Sequence, residues 1–360
     1  MIFTRIELAD FRNYAAASFE LTAGTTVILG DNGQGKTNLA EAVAYIATMA
    51  SFRGAPNDAL VRAGAAAAVV RAELVGNDER EVLVEVEITP TGRGRVQVNR
   101  QRLARTRDLL DVVRVTVFAP DDLGLVKGGP SDRRRYLDDT LVALAVKYDA
   151  LRLELDRIVK QRNTLLRQAG GRLDGDATTT LDVWDERLVA TGEQFGRARA
   201  ALVDQSGPYV VEAYEQLAGE GAGVELRYDP PWRRDGLVAA LAAARTDDVR
   251  RAVSTVGPHR DELELTIGAL PARTHASQGE QRTLALALRL GAHRLVADKR
   301  GVAPVLVLDD VLSELDARRA TALLGSLPAG QVVITTAGAV PAAAAPDRVI
   351  RIANGAILEQ

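Results

Sequence analysis

The chain has 360 residues, 47% of them hydrophobic, which is enough to bury a large core and suggests two lobes. It has no cysteine, which excludes a disulfide framework or a thiolate zinc site. It shows neither a signal peptide nor a membrane span, so we expect a soluble, cytoplasmic protein. The net charge is -3, so a surface for nucleic acid would have to be local.

Residues 1–118 predict α/β structure. Their β-like runs are 1–8, 25–30, 69–75, 81–89 and 95–98, and one amphipathic helix is expected from Lys36 to Met49.

A phosphate-binding loop is predicted between the second run and this helix, where the sequence fits G-x-x-x-x-G-K-[ST]. Its glycines let backbone N–H groups converge on phosphate oxygens, and the helix N-terminus adds partial positive charge. Lys36 should neutralise the β- and γ-phosphates and take part in catalysis, and the Thr37 hydroxyl should complete a Mg²⁺ shell. A turn without a ligand would leave both residues unexplained. The candidate nucleotide-binding residues are Gly30, Asp31, Asn32, Gly33, Gln34, Gly35, Lys36, Thr37 and Asn38.

An arginine-rich segment follows at residues 93–107, which hold six arginines and no acid. Guanidinium groups pair well with phosphates, so this predicted hairpin and loop could bind DNA without sequence selection. The alternative is a sheet edge protected by charge. The candidate DNA-binding residues are Arg93, Arg95, Arg100, Arg102 and Arg105.

Residues 119–251 are predicted to be helical. From Leu137 to Leu165 apolar residues recur with heptad spacing, interrupted only by Arg162, which predicts one continuous helix. Residues 170–180 read as a turn, the same spacing resumes from 181 to 202, and Gly207-Pro208 should end the second helix. The two helices would form a short antiparallel coiled-coil-like hairpin, unless the stripe is simply core.

The α/β pattern returns in residues 252–360. A helix is expected from Gln278 to Ala297, a buried strand at 305–308, a helix at 316–327 and a strand at 331–336. One ATPase lobe would therefore consist of 1–118 and 252–360, split around a helical lobe at 119–251.

Two acids end the buried strand at 305–308. A carboxylate at this position of a P-loop protein holds Mg²⁺, so Asp309 is the metal candidate, and Asp310 is the candidate for activating the attacking water. Capping of a following helix is the alternative.

A second anion-binding device opens the long helix, where the sequence reads Ser277-Gln278-Gly279-Glu280-Gln281. One nucleotide cannot sit at two separate phosphate sites of one subunit. We therefore predict an ATP-dependent, head-to-tail homodimer in which Ser277, Gly279 and Gln281 of one copy close on the nucleotide of the other.

This segment resembles the signature motif of ABC ATPases, and Ser313-Glu314-Leu315-Asp316 resembles their D-loop. The fold class implied is an α/β, ABC-type P-loop ATPase head with a helical second lobe that carries the hairpin. A transporter ATPase subunit is disfavoured. The chain has no glutamine between Arg102 and Gln161, and Thr335-Thr336 stands where a histidine would follow the last core strand. A purely structural SMC-like linker is disfavoured by the short hairpin.

Three further strings resemble the RecF family: Phe11-Arg12-Asn13-Tyr14, residues 120–138, and Gly257-Pro258-His259-Arg260-Asp261-Glu262. With the ATPase motifs, the resemblance covers residues 1–336. It implies a protein that dimerises with ATP and Mg²⁺ on double-stranded DNA near single-strand gaps and junctions, and that helps RecA replace single-strand-binding protein together with RecO and RecR. It also implies that Arg12 and Asn13 touch nucleotide phosphate and that residues 133–135 face DNA, unless these arginines form salt bridges.

Asp310 in place of the usual glutamate, and Thr336 in place of the histidine, predict a weak, DNA-stimulated ATPase.

Overall fold

The computed structural model describes residues 1–76, 78–91, 94–103, 106–219, 221–338 and 340–359. They form two compact units. The first comprises 1–123, 212–221 and 278–360, and the second comprises 124–211 and 222–277. None of the described helices combines the length and apolar composition needed to cross a membrane.

The secondary structure is mixed. The strands are β1 (Ile2–Phe11), β2 (Tyr14–Glu20), β3 (Thr25–Leu29), β4 (Ala68–Val75), β5 (Glu81–Ile88), β6 (Arg95–Val98), β7 (Gln101–Arg102), β8 (Val115–Phe118), β9 (Val224–Arg227), β10 (Glu264–Ile267), β11 (Leu270–Pro271), β12 (Val305–Asp309), β13 (Val332–Thr336), β14 (Arg348–Ala353) and β15 (Ala356–Glu359). The helices are α1 (Lys36–Thr48), α2 (Asn57–Leu60), α3 (Gly124–Lys127), α4 (Pro130–Leu144), α5 (Lys147–Gln168), α6 (Gly175–Ala218), α7 (Trp232–Asp235), α8 (Leu237–Arg251), α9 (Ala272–His275), α10 (Gln278–Arg300) and α11 (Ala317–Gly325).

The first unit contains an antiparallel sheet in the order β2-β1-β4-β5-β6-β7. Along β4 and β5 every second side chain is buried, as expected for a sheet with one face on the core. These side chains share one hydrophobic core with the inner face of α1 and with Val305 and Val307 of β12.

The second sheet of this unit, in the order β15-β14-β3-β13-β12-β8, places the candidate motifs. Strands β14, β3, β13, β12 and β8 run parallel to one another, β15 pairs antiparallel with β14, and all residues of β12 and β13 are buried. Continuous apolar strands of this kind need cover on both faces. Because carboxyl ends of parallel strands meet at one edge, the segments that follow β3, β13 and β12 converge there.

A buried histidine of this unit makes stability depend on pH. His293 of α10 has its Nδ1 3.2 Å from Thr116 Oγ1, and burial lowers the pKa of His293 from 6.5 to about 4. The unfolded chain therefore takes up the proton at higher pH than the folded protein, and stability is lost as pH falls from 6.5 towards 4. Between pH 7 and pH 5 we expect the free energy of unfolding to fall by about 2 kcal/mol more in the wild type than in His293→Gln. Urea unfolding at the two pH values measures this, and equal losses in both proteins would contradict it.

The second unit contains most of the predicted helical hairpin. The prediction of one continuous helix from Leu137 is wrong, because the chain is extended at Ala145 (φ −158°) and α5 begins at Lys147. Asp149 lies in the first turn of α5, where a carboxylate stabilises a helix N-terminus.

The predicted end of the second helix at Gly207-Pro208 is also wrong. Helix α6 follows a cap at Asp174, whose carboxylate accepts from Ala177 N at 2.7 Å, and it continues through Pro208 to Ala218. Proline removes one backbone donor, but buried side chains on both sides of it, including Val203 and Val210, keep the helix packed.

A small sheet explains where the second unit ends. Strand β10 pairs with β9 and β11, which ties residues 264–271 to residues 224–227. The second unit therefore extends to Ser277, beyond the predicted helical lobe at 119–251, and residues 212–221 belong to the first unit instead.

Candidate nucleotide-binding site

The loop between β3 and α1 has the backbone that its glycines predict. Gly33 and Gly35 have φ values of +80° and +112°, in the left-handed region that favours glycine. A Cβ at Gly35 would also lie 2.7 Å from Asn13 Nδ2 and 2.8 Å from Tyr14 Oη. Both the conformation and the close approach therefore require glycine at position 35.

Lys36 is held over this loop. Its Nζ donates to the Asp31 carbonyl oxygen at 2.8 Å, and the residue is only 6% exposed. Desolvation lowers the pKa of Lys36, opposed by Asp310, Asp309 and Asp31. A partly desolvated cation at a helix N-terminus is suited to bind phosphate.

The loop and Asp309, the last residue of β12, lie side by side. Asp309 Oδ1 accepts hydrogen bonds from Thr37 Oγ1 at 3.0 Å and from Thr335 Oγ1 at 2.7 Å. Burial raises the pKa of Asp309, and these two hydrogen bonds oppose the rise. A hydroxyl and a carboxylate are the oxygen ligands that Mg²⁺ prefers, so the predicted metal pair fits that ion.

Asp310 carries a strained backbone and an unsatisfied carboxylate oxygen. Its φ is +51°, which is uncommon for a residue other than glycine, and its N–H donates to Thr335 Oγ1 at 2.9 Å. Asp310 Oδ1 is buried and has no hydrogen-bond partner among the described residues. A buried acceptor without a partner is costly, and a water molecule at the site would satisfy it.

Thr335 is a site residue that sequence analysis missed. Its hydroxyl joins the Asp309 carboxylate to the Asp310 backbone, and the residue is fully buried. The available signal was the position of Thr335 near the end of the predicted strand 331–336, and the structure pairs it with Asp309 in parallel register. The Thr336 hydroxyl, at the position where a histidine would be expected, accepts from Gly338 N at 3.2 Å.

The start of α10 and the D-loop-like segment lie together in the first unit. Arg282 Nη2 is 2.5 Å from Glu314 Oε2, and a Cβ at Gly279 would lie 3.0 Å from Arg319 Nη1. Asp316 caps α11 by accepting from Arg319 N at 2.8 Å. Ser277, immediately before α10, is exposed, whereas Gln281 is buried. Contact of Ser277, Gly279 and Gln281 with a partner's nucleotide stays a prediction.

Arg12 and Asn13, predicted to touch phosphate, form the turn between β1 and β2. The Arg12 guanidinium donates to both carboxylate oxygens of Glu41 in α1, at 2.7 and 2.8 Å, and Glu41 is fully buried. Asn13 Nδ2 donates to the Gln34 carbonyl oxygen at 3.2 Å, and Asn13 Oδ1 accepts from Asn38 at 2.8 Å. Arg12 thus binds α1, Asn13 binds both α1 and the loop, and direct contact of either residue with phosphate stays a prediction.

The predicted DNA-binding arginines are only partly described. Arg100 is exposed at the turn between β6 and β7, and Arg102 is exposed in β7. Arg95 of β6 lies 3.3 Å from Glu87 of β5. The ion pair of Arg95 agrees with the alternative hypothesis that these arginines protect a sheet edge by their charge. Arg93 and Arg105 lie outside the described residues.

Two of the three arginines at 133–135 bind the Gly257–Glu262 string. Arg133 is buried and donates to both Glu262 carboxylate oxygens at 2.7 Å, and Arg134 donates to the Asp261 carbonyl oxygen at 2.8 Å. The salt-bridge alternative therefore applies to Arg133. The segment at residues 120–138 and the segment Gly257–Glu262 bind each other through these contacts. Arg135 is exposed.

Known proteins resemble this chain over nearly its whole length. Residues 2–356 match the family described as the RecF/RecN/SMC N-terminal domain. The DNA replication and repair protein RecF of Streptomyces avermitilis is 45% identical over 347 residues, which cover 93% of this chain and 92% of that protein. RecF of Frankia alni is 45% identical over 356 residues, with 94% and 93% covered.

Solved structures agree with these relatives. A structure described as the recombination mediator protein RecF with ATP in the RecFOR pathway has a TM-score of 0.90 and 28% identity, and covers 99% of this chain and 97% of that one. An SMC head bound to the C-terminal winged-helix domain of ScpA has a TM-score of 0.61 at 19% identity, with 100% and 98% covered, and shows the shared fold alone. The predicted ABC-type head is confirmed, and the chain belongs to the RecF family of DNA replication and repair proteins.

Proposed function

We propose that this protein is an ATP-dependent DNA-binding recombination mediator. The observation that carries the proposal is the hydrogen bond between Thr37 and Asp309, which joins the phosphate-binding loop to the acid at the end of β12. Together with the desolvated Lys36, this arrangement suits a nucleoside triphosphate with Mg²⁺. The similar RecF structure described as containing ATP supports the same nucleotide.

We assign different roles to the residues around the proposed site. Lys36 and the loop amides bind and orient the β- and γ-phosphates, and Thr37 and Asp309 would hold Mg²⁺, which supplies charge neutralisation when bound. Asp310 Oδ1, buried and without a partner in the described structure, would orient the attacking water. Because an aspartate reaches less far than a glutamate, and Thr336 stands in place of a histidine, we propose weak hydrolysis that DNA stimulates and that releases the dimer.

ATP would act mainly by driving dimerisation. Exposed Ser277 at the start of α10 would cap the nucleotide held by a second copy, with Gly279 and Gln281 beside it. In sedimentation velocity with and without ATP, we expect a dimer only with ATP, and duplex DNA should favour it further. A dimer that is equally abundant without nucleotide would contradict the proposal.

The proposed partners are double-stranded DNA near single-strand gaps and junctions, and RecO, RecR and RecA in the cytoplasm. Membership of the RecF family and the RecFOR pathway named for the similar structure support these partners. Among the described residues, the candidates for DNA contact are the exposed Arg100 and Arg102 at the hairpin of β6 and β7. Arg95 lies beside them in β6.

A salt titration tests the DNA surface. The slope of log K against log salt is negative, and changing Arg100 and Arg102 to glutamine is expected to reduce its magnitude by about 2, because each phosphate contact releases about one counterion. Arg250 and Arg251, exposed at the end of α8, provide a matched control pair that should leave the slope unchanged. An unchanged slope for the Arg100 and Arg102 variant would refute this assignment.

A further inference from the structure

Two turns of the first unit hold the phosphate-binding loop from outside. The first is the turn between β1 and β2, which carries Asn13. The second is the turn between β14 and β15, formed by Asn354 and Gly355. A Cβ at Gly30 would lie 2.6 Å from the Ile352 carbonyl oxygen, so β14 also lies against the start of the loop.

Gln34 receives hydrogen bonds from both turns. Its carbonyl oxygen accepts from Asn13 Nδ2 at 3.2 Å and from Gly355 N at 3.2 Å. Its side-chain carbonyl oxygen accepts from Asn354 N. Gln34 is therefore tied to segments more than 300 positions apart in the sequence, none of which belongs to the loop motif.

The next carbonyl is held in the same way. Tyr14 Oη donates to the Gly35 carbonyl oxygen at 3.2 Å, beside the bonds that this oxygen accepts within α1. Tyr14 is fully buried, and burial raises the pKa of its hydroxyl, so the group remains a donor.

These contacts matter because each peptide group is a rigid plane. In a trans peptide the carbonyl of one residue and the N–H of the next point in opposite directions, and the structure contains no cis peptide bond among the described residues. Holding the Gln34 carbonyl towards the two turns points the Gly35 N–H away from them, and holding the Gly35 carbonyl does the same for the Lys36 N–H. Preorganised N–H groups bind phosphate without a further ordering cost.

We propose that the turn of Asn354 and Gly355, together with Asn13 and Tyr14, acts as a positioning clamp that orients the phosphate-binding amides of residues 35 and 36. The clamp residues act through the loop, and the proposal requires no direct contact between them and nucleotide. The inference rests on the proposed binding of ATP at this loop, and it assigns to the C-terminal hairpin a role in nucleotide affinity.

Gly355 allows a matched test. Its φ is +70°, and a Cβ there would lie 3.0 Å from Asn13 Nδ2 and 3.1 Å from the Asn13 carbonyl oxygen. Gly301, between α10 and β12, has a φ of +68° and nothing within 4 Å of its Cβ position. Alanine at either position carries the same backbone strain, but only Gly355→Ala displaces Asn13.

The measurement is the dissociation constant of a fluorescent ATP analogue with the full chain, together with the melting temperature without nucleotide. We expect Gly355→Ala to weaken binding about tenfold relative to Gly301→Ala, with equal melting temperatures. Tyr14→Phe, which removes one hydroxyl and keeps the ring, should weaken binding about threefold.

Equal affinities of the two alanine variants would overturn the clamp. If Gly355→Ala binds more weakly but also melts at a lower temperature than Gly301→Ala, the clamp is overturned as well, since a merely structural role would explain both losses. If the wild type itself does not bind the analogue, the proposed function fails instead, so the two failures are distinguishable.

Discussion

Lys36→Met is expected to abolish ATP-dependent dimerisation and to weaken ATP binding by about a hundredfold, since a charge-assisted contact with phosphate contributes about 1.5–3 kcal/mol. Methionine keeps most of the side-chain length and its packing but removes the cation that now lies over the loop beside Asp31. Fluorescent nucleotide titration measures the affinity, and sedimentation velocity with ATP measures the dimer.

In the proposed dimer, each nucleotide lies between Lys36 of one copy and Ser277 of the other. Ser277→Arg is the matched variant that tests the contribution of the second copy. It should bind ATP as a monomer with wild-type affinity, because Ser277 would act only on a partner's nucleotide, yet it should not dimerise. In a mixture of the two variants, each heterodimer has one intact site, from Lys36 of one copy and Ser277 of the other. Partial dimerisation is expected only in that mixture. Dimerisation of Ser277→Arg alone, or none in the mixture, would contradict the head-to-tail arrangement.

Arg162→Met is expected to have the largest effect on stability, about 3–5 kcal/mol, the cost of leaving a buried charge without its partner. Arg162 of α5 is fully buried, with its guanidinium 2.6 Å from carboxylate oxygens of both Asp185 and Asp248. Ser254 accepts a further hydrogen bond at 2.8 Å. Removing the cation leaves Asp248, itself fully buried, without its counter-ion.

Arg157→Met in the same helix is the control, because its side chain is 65% exposed and its ion pair with Glu154 lies at the surface. Its effect should stay within about 0.5 kcal/mol. Urea unfolding of each variant, followed by the helical signal in circular dichroism, gives the midpoints and free energies of unfolding to be compared. If they have the same midpoint, the buried network contributes nothing measurable.

The local sequence was sufficient to predict the conformation of the glycine-rich loop between β3 and α1, the two acids at the end of a buried strand, and the start of α10. Each of these depends on a few consecutive residues whose conformation follows from glycine, from a helix N-terminus or from a buried strand. The heptad spacing likewise predicted a helical hairpin. It did not reveal the break at Ala145 or the passage of α6 through Pro208, because those depend on the packing of distant segments.

Strands β2, β8, β14 and β15 were not predicted either. Strand β2 is rich in alanine, and β8 is only four residues long. Neither provides a strong period-two pattern, and their places in the sheets are set by their partner strands.

Only the tertiary structure decided which charged and polar residues meet. Arg162 is an interruption of an apolar stripe in the sequence, but it is the centre of an ion network in the fold. Arg133 pairs with Glu262, and Arg12 pairs with Glu41. Thr335 joins Asp309, the last residue of β12, to Asp310. A backbone motif is encoded within its own residues, whereas a buried charge is satisfied by partners that sequence distance conceals, and only chain folding brings them within hydrogen-bond distance.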